Sequence, residues 1–351
     1  MKSKKRPLWL NFKNFDDSNS PHLVLFKLGD DLRQDQLTLQ VLRIMDSLWK
    51  SSGIDLCISA YNCVSTASEE GMLEVVPNST TLAEVVKQHV QTKNGLATRR
   101  STISNKISAV QEAFSGHLAI LDWLKKEAEA AKSADSDRKG KRSSHRKQRS
   151  LALPVNRTPS SQARRSDSLQ MENPLIEGSN LVKALDNFQN SCAGYCVATY
   201  VLGIGDRHND NIMLTRDGRL FHIDFGHFLG NFKSKFGVKR ESAPFVFTKH
   251  FEAVLGGAES GGRYRQFEEL CCRAFLVLRQ NSKYLISLFS LMIDCGIPEL
   301  QTLDDLEWMQ NSLMNCTTEE DAAKKFLALI GESLENKSTR FNHAIHIFAK
   351  G

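Results

Sequence analysis

The 351-residue sequence lacks long hydrophobic runs. Its most apolar stretch, Tyr284 to Ile293, is about half of the roughly 18 residues that a membrane-crossing helix needs. The basic start from Met1 to Pro7 is followed by only Leu-Trp-Leu before Asn11, which is too short for a secretory signal peptide. We therefore expect an intracellular protein.

A regular cysteine framework is also missing. The eight cysteines are scattered and form no Cys-x-x-Cys pair. Cys192 and Cys196 lie in an apolar stretch that is typical of a buried helix. Reduced core thiols are therefore favoured over a metal site or disulfides.

Positive charge is concentrated in one segment rather than spread along the chain. Between Lys132 and Glu172 there are 11 Lys or Arg and 4 Asp or Glu residues, whereas the remainder has 35 basic and 36 acidic residues. The stretch 130–172 is rich in Ser and poor in aromatics, which predicts a disordered insertion.

A solvated loop is the favoured role for this insertion. Phosphorylation by a basophilic kinase is an alternative, since Arg149 precedes Ser150 and Arg165 lies three residues before Ser168. Attraction to anionic lipid or nucleic acid is another. Aromatic side chains interleaved with the basic ones are missing, so no specific nucleic-acid partner is predicted.

The flanking regions carry regular patterns. Asp31 followed three residues later by Gln34 resembles a capping box, and apolar residues at helical spacing then predict a helix over 32–49. Leu23–Lys27 and Leu73–Val76 have the pattern of strands. After residue 175 the chain is predicted to be mainly helical, with helical periodicity in 182–202, 265–294 and 320–333.

One hairpin interrupts this helical region. Asp217-Gly218 is a strong two-residue turn signal between two apolar runs. Strand pairing about a two-residue turn places Asn211 directly opposite Asp224. Their Cβ atoms would then lie roughly 4.5–5.5 Å apart, which suits two oxygen ligands that share a divalent cation.

The residues before and after the hairpin complete a kinase-type pattern. Asp206 precedes Asn211 by five residues, and Asp224-Phe225-Gly226 is the tripeptide whose Asp binds magnesium in protein kinases. His208 follows Asp206 by two. Either His208 takes the proton from an attacking hydroxyl, or Asp206 takes it and His208 stabilises developing charge. The residues alone leave both assignments open.

Two runs resemble the catalytic and activation segments of phosphoinositide 3-kinases: Gly203 to Met213 and Phe221 to Leu229. The same family is resembled by two earlier runs, residues 5–10 and 26–35. The resemblance implies an α+β, two-lobed protein-kinase-like fold with a truncated amino lobe, a mainly helical carboxy lobe, and ATP and Mg2+ in the cleft. It implies a catalytic group of Asp206, Arg207 and His208, with Asn211 and Asp224 on the metal.

The resemblance also implies nucleotide contacts. Ser3 would lie in the phosphate-covering loop, Lys27 on the phosphates, Trp9, Asp35 and Tyr61 in the inner pocket, Glu74 and Val76 in the hinge, and Met213 and Ile223 on the floor. Strand alternation places Met213 and Ile223 on opposite faces of the predicted hairpin, so the assignment of Ile223 depends on the resemblance alone.

The loop after Gly226 indicates the lipid. Its four cations are suited to the extra phosphates of an inositol headgroup: Lys233, Lys235, Lys239 and Arg240. Their arrangement is similar to class I enzymes, which implies phosphatidylinositol 4,5-bisphosphate as substrate, phosphorylated at the 3-hydroxyl. Phe232 and Ser234 interrupt the first pair of lysines.

The resemblance divides the chain into a partial amino lobe and hinge strand (1–76), the start of the carboxy lobe (77–129), the insertion (130–172) and the rest of the carboxy lobe (173–351). It implies a cytoplasmic enzyme that is peripheral at phosphoinositide membranes, with a regulatory subunit acting through upstream domains absent from the chain. The alternatives are a related protein Ser/Thr kinase and a truncated, inactive nucleotide-binding fragment.

Overall fold

The computed structural model describes residues 7–13, 22–96, 117–148, 175–232, 234–235, 238–239, 243–257 and 262–336. Ser3, Lys233, Arg240, and the terminal segment 337–351 lie outside the described residues. All eight cysteines are free, as predicted, and Cys192 and Cys196 are buried. In the part of the chain that the structure describes, no helix is both long enough and apolar enough to cross a membrane.

The amino-terminal part is a four-stranded antiparallel sheet with one helix against it. The strands are β1 (Leu8–Phe12), β2 (His22–Leu28), β3 (Cys63–Ala67) and β4 (Glu70–Glu74), in the order β1-β2-β4-β3. Strand β2 confirms the predicted strand over 23–27. The strand predicted over 73–76 begins earlier and ends at Glu74, although Val75 N–H still donates to Leu23 O (3.0 Å).

Helix α1 (Arg33–Ser51) confirms the predicted helix to within two residues at each end. Its buried stripe includes Leu37, Val41, Met45 and Trp49, at the spacing that the sequence predicts. The predicted capping box is wrong. Asp31 does accept the Arg33 N–H (3.1 Å), but the Gln34 side chain donates to the carbonyl of Phe225 (2.9 Å).

The remaining elements form a larger lobe that is mainly helical. Its helices are α2 (Leu82–Leu96), α3 (Ala119–Gln148), α4 (Leu175–Val201), α5 (Lys249–Val254), α6 (Arg263–Gln280), α7 (Ser282–Ser290), α8 (Glu307–Met314) and α9 (Glu319–Glu335). Its strands are β5 (Ser79–Thr81), β6 (Ile212–Thr215), β7 (Leu220–His222), β8 (Ser234–Lys235) and β9 (Val238–Lys239). Helix α4 is the centre of this lobe, since its residues 191–201 are buried throughout.

The helical patterns are confirmed with altered bounds. The pattern over 265–294 is divided between α6 and α7, which are separated by Asn281. Helix α3 continues to Gln148, so the prediction of disorder is wrong for 130–148; residues 149–172 lie outside the described part. The α+β prediction of a sheet lobe and a helical lobe agrees with this arrangement.

The hairpin β6–β7 exists, but its register differs from the prediction. Met213 pairs with Phe221 and Ile212 with His222, one residue short of the predicted pairing. The connection is a three-residue loop: Gly218 N–H donates to Thr215 O (2.9 Å), and Thr215 N–H to Arg219 O (2.9 Å). Gly218 adopts φ 92°, whereas Asp217 does not have the positive φ that a two-residue Asp-Gly turn would require.

This register has two consequences for the predicted site. Asn211 pairs with Ile223, whose N–H donates to Asn211 O (3.0 Å), so the predicted direct pairing with Asp224 is wrong. Residues directly opposite each other share a face, and so do alternate residues. Met213 and Ile223 therefore lie on the same face, contrary to the alternation expected from the sequence.

Gly218 offers a test of this turn. A Cβ there would meet the Ala184 carbonyl oxygen at 2.0 Å, whereas a Cβ on Gly53, which also has a positive φ of 73°, would meet nothing within 4 Å. We expect Gly53→Ala to lower the free energy of unfolding by about 1 kcal/mol. Gly218→Ala should cost at least about 2 kcal/mol more, because backbone of α4 must move. Urea denaturation of both variants checks this, and equal losses would contradict the turn geometry.

Candidate active site

Two segments of the carboxy lobe are joined through their backbones. Gly205 N–H donates to His227 O (3.0 Å), Leu229 N–H to Leu202 O (2.7 Å) and Gly230 N–H to Gly203 O (3.1 Å). The first segment follows α4 and leads to Asp206, and the second follows β7 and carries Asp224. These hydrogen bonds therefore bring together the two motifs that the sequence predicts to act jointly.

Asp206 and Asp224 both adopt left-handed backbone conformations, with φ values of 58° and 63°. Such conformations are unfavourable for residues other than glycine and persist where neighbouring contacts determine the structure. One such contact is made by Asn211, whose Nδ2 donates to the Asp206 carbonyl (3.0 Å). The positive φ at Asp224 also interrupts the alternation of side chains between the two faces of β7. The direction of the Asp224 side chain therefore does not follow from the strand pattern.

Arg207 has a positioning role. Its side chain is buried, and its guanidinium donates to the carbonyls of Gly205 (2.7 Å), Ile223 (2.8 Å) and Asp224. It also lies over the ring of Phe225, 5.7 Å from the centroid. These donors hold the backbone that carries Asp224, and the catalytic role that the resemblance implies for Arg207 stays a prediction.

His208 has a defined ring orientation. Its Nδ1 accepts the backbone N–H of Asp210 (3.2 Å). A neutral imidazole that accepts at Nδ1 carries its proton on Nε2. His208 is therefore arranged as a hydrogen-bond donor at Nε2, which suits the stabilisation of developing negative charge better than the removal of a proton.

Asn211 and Asp224 fit a magnesium ion by their chemistry. Because the Asn211 amide nitrogen donates to Asp206 O, its oxygen remains the acceptor end of the side chain. Asp224 is exposed at the end of the hairpin. The described residues contain no cluster of three or more His, Cys, Asp or Glu side chains that could hold a metal. A protein nevertheless usually supplies only one or two oxygen ligands to Mg2+, and water and substrate phosphates supply the others.

Asp35 lies in the interior between the lobes. Its Oδ1 accepts the N–H of Phe225 (3.1 Å), and burial raises the pKa of its carboxyl to about 6, although that hydrogen bond acts in the opposite direction. Asp224 raises this pKa further, whereas Lys27 and Arg207 lower it. The Lys27 ammonium lies 3.6 Å from Asp30. Asp35 is thus a buried acid beside the Asp-Phe-Gly segment.

The other predicted nucleotide residues of the sheet lobe and its connections are Trp9, Tyr61, Glu74 and Val76. Trp9 pairs with Leu25 in the sheet and so shares the face of Lys27. Tyr61 is buried and makes an edge contact with Phe221 (6.3 Å between centroids), and burial raises its pKa well above the ordinary value. The Glu74 carboxylate accepts from Asn62 N (2.9 Å) and Nδ2 (2.8 Å), so its side chain braces the strand end. The Val76 carbonyl accepts the Ser79 hydroxyl (2.7 Å).

In the basic loop after Gly226, the structure describes a short backbone hairpin in which Ser234 pairs with Lys239 and Lys235 with Val238. Three residues near Phe225 were missed by sequence reasoning: Gln34, His227 and Glu299. Gln34 was interpreted as part of a helix cap. Glu299 follows a proline in a loop, where the sequence has no signal for a contact with the Asp-Phe-Gly segment.

Comparison with known proteins decides the family. A family model described as "Phosphatidylinositol 3- and 4-kinase" matches residues 23–302. The chain belongs to this family. This membership confirms the predicted resemblance and the kinase-like, two-lobed fold.

Three relatives from Dictyostelium discoideum each align over 99% of the chain. Phosphatidylinositol 3-kinase 1 is 43% identical, and phosphatidylinositol 3-kinases 2 and 3 are each 40% identical. The chain covers 18%, 15% and 17% of these proteins, respectively, and so spans less than a fifth of their length.

The buried Asp35 carboxyl predicts a pH-dependent stability in the nucleotide- and metal-free protein. Its pKa in the folded state, about 6, lies above the ordinary value of 3.8, so its favourable contribution is complete below pH 3.8 and is lost as pH rises towards 6. Asp35→Asn removes this loss. We expect the variant to match the parent near pH 4 and to exceed it by up to about 3 kcal/mol at pH 7.

Unfolding free energies of both proteins between pH 4 and 7.5 test this expectation, and their difference at each pH isolates Asp35 from the other acids. A difference that does not change with pH would contradict the raised pKa. We also expect Asp35→Asn to lose activity while it gains stability, because a charged group is tolerated at a buried position where function requires it.

Proposed function

We propose that the chain is the catalytic part of an ATP- and magnesium-dependent phosphoinositide 3-kinase. The observation that carries this proposal is the backbone junction between the segments of Asp206 and Asp224. The junction supports the set of groups that phosphoryl transfer would require at this end of the hairpin: an acid, a histidine donor and two oxygen ligands. The names of the relatives add support for the 3-kinase activity.

In the proposed reaction, the inositol 3-hydroxyl oxygen bonds to the γ-phosphorus of ATP. The bond from that phosphorus to the β–γ bridging oxygen breaks, and ADP leaves. Asp206 takes the hydroxyl proton, and the His208 Nε2–H donates to the phosphoryl oxygens. This division follows from the Asp210 N–H on His208 Nδ1, which leaves the proton on Nε2. Asn211 and Asp224 would hold Mg2+, which would supply positive charge to neutralise the phosphates.

The nucleotide contacts in this proposal are those that the resemblance implies. Lys27 reaches the phosphates and Ser3 covers them. The remaining members are pocket and floor residues: Trp9, Asp35, Tyr61, Glu74, Val76, Met213 and Ile223. Support for the floor comes from the hairpin register, since Met213 and Ile223 lie on one face. The proposed division of the chain into 1–76, 77–129, 130–172 and 173–351 is supported by the end of β4 at Glu74 and by the start of α4 at Leu175.

The proposed lipid is phosphatidylinositol 4,5-bisphosphate, as in class I enzymes. Lys233, Lys235, Lys239 and Arg240 would bind the phosphates at positions 4 and 5 through charge-assisted hydrogen bonds. Support comes from the β8–β9 pairing, which puts the backbones of Lys235 and Lys239 in two adjacent strands. The protein would work at the cytoplasmic surface of phosphoinositide membranes, and any regulatory subunit would act through regions of the relatives that this chain does not cover.

The catalytic proposal is tested with the Asp224→Ala variant and with Asp294→Ala as control, because Asp294 is exposed in a short helical turn. The proteins are incubated with ATP, Mg2+ and mixed phosphoinositide vesicles, and the product is identified by its headgroup. Loss of a metal ligand should lower turnover about a thousandfold or more, and the control should match the parent. Parent protein that binds ATP without turnover would favour the non-enzymatic alternative, and phosphorylation of protein rather than lipid would favour the protein kinase.

The lipid proposal predicts that charge reversal is selective. Lys233→Glu with Lys235→Glu should lower kcat/KM for phosphatidylinositol 4,5-bisphosphate about tenfold or more and leave phosphatidylinositol nearly unchanged. Lys283→Glu with Lys324→Glu is the matched control, because these lysines are exposed on α7 and α9 and the net charge changes equally. Equal losses on both lipids would contradict the assignment of the loop.

A further inference from the structure

Glu299 lies in the loop between α7 and α8, far in sequence from the motifs of the site. A bridge between Ile297 and Leu300 fixes the loop, and the Glu299 side chain is 17% exposed. Its Oε1 lies 2.9 Å from His227 Nδ1, and its Oε2 accepts the N–H of Phe228 (2.6 Å) and the Nε2 of Gln34 (3.2 Å). One carboxylate thus receives hydrogen bonds from two different elements.

These contacts continue into helix α1. Gln34 Nε2 also donates to Phe225 O (2.9 Å), and the adjacent Asp35 accepts Phe225 N–H (3.1 Å). The segment Phe225–Phe228 is therefore attached to the start of α1 at one end and to Glu299 at the other. Asp224, the proposed metal ligand, immediately precedes this segment.

We propose that Glu299 is a positioning residue of the catalytic site, which holds the segment carrying Asp224 against helix α1. Its kinetic consequence rests on the function proposed above, whereas its structural consequence is independent of it. An ionised carboxylate has acceptor sites for three donors at once, and hydrogen bonds to a charged acceptor are the stronger ones. A residue that only filled space in the loop would not need this charge.

The position of Asp224 depends on these contacts through the backbone. With Glu299 removed, the Phe228 N–H and the Gln34 amide lose an acceptor in a partly buried place, which costs free energy unless the segment moves. Movement of the segment changes the position and direction of the Asp224 carboxylate relative to the Asn211 side chain. The expected effect is a weaker site for magnesium, more than a general loss of folded protein.

The experiment compares Glu299→Ala, Glu299→Gln and a control, Glu307→Ala, in the complete chain. Glu307 is exposed at the start of α8, and its carboxylate accepts a hydrogen bond from Asn311 of the same helix. Hydrogen–deuterium exchange without ligands measures protection of 223–230 and 33–38, and lipid kinase assays give the Mg2+ concentration at half-maximal turnover.

We expect Glu299→Ala to speed exchange in both segments about tenfold and to raise the half-saturating Mg2+ concentration by a similar factor. Glu299→Gln keeps one oxygen acceptor and should lie between Glu299→Ala and the parent, and Glu307→Ala should match the parent. A fall in turnover with unchanged Mg2+ dependence and unchanged exchange in these segments would overturn the proposal, since a smaller folded fraction lowers only the maximal rate.

Should Glu299→Ala fail to fold, Gln34→Leu supplies the second variant. It removes the link from Glu299 to Phe225 and leaves the His227 and Phe228 contacts, so it should change exchange and Mg2+ dependence in the same direction by a smaller factor. Unchanged values in Gln34→Leu and Glu299→Gln together would overturn the proposal. If the variants exchange faster than the parent but the parent itself phosphorylates no lipid, the proposed function is refuted and the positioning role of Glu299 stands.

Discussion

The backbone of residues 223–230 is hydrogen-bonded to three different parts of the chain. The end of α4 and the residues after it accept or donate through Leu202, Gly203 and Gly205. Arg207 donates to the carbonyls of Ile223 and Asp224. The start of α1 and Glu299 hold the other side of the segment. Since Asp224 lies within this segment and Asp206 lies beside it, the geometry of the site depends on these hydrogen bonds.

Close approach of the two segments requires glycine. A Cβ on Gly203 would lie 2.4 Å from the nitrogen of Gly230, and one on Gly230 would lie 2.7 Å from the indole of Trp308. Trp308 covers both glycines, and its Nε1 donates to Tyr200 O (2.8 Å) at the end of α4. Its ring also meets Phe232 edge-on at 5.1 Å. The start of the basic loop that follows Gly226 is thereby anchored to the same helix end as the segment of Asp206.

Much of this organisation was predictable from the sequence, because it follows from local patterns. The helix over 32–49 and the hairpin about Gly218 have periodicities and turn residues that predict them directly. The hairpin register was missed by one residue, since Asp-Gly is compatible with two-residue and three-residue loops. The two differ in the backbone conformation of Asp217 and in the hydrogen bonds that close the loop. That single residue reverses which side chains share a face.

The contacts that position the site were beyond sequence reasoning because they join distant residues. Gln34 and Phe225 are 191 residues apart, and Gln34 and Glu299 are 265 apart. A local pattern explains Gln34 as a helix cap, and nothing in the loop around Glu299 contradicts that interpretation. Tertiary structure prevails here, since a buried amide must find partners wherever the fold provides them.

Helix α1 is attached to both lobes of the protein. It follows the second strand of the sheet lobe, yet its start holds Phe225 through Gln34 and Asp35, and near its end Trp49 Nε1 donates to Ala274 O in α6 (2.9 Å). A helix of this length spans about 28 Å, so it is attached to the carboxy lobe at two well-separated points. Opening of the cleft would have to break buried hydrogen bonds at one of these points or move the sheet over α1. Movement of the sheet over α1 keeps Asp224 in place, because the hydrogen bonds from Gln34 and Asp35 to Phe225 remain intact.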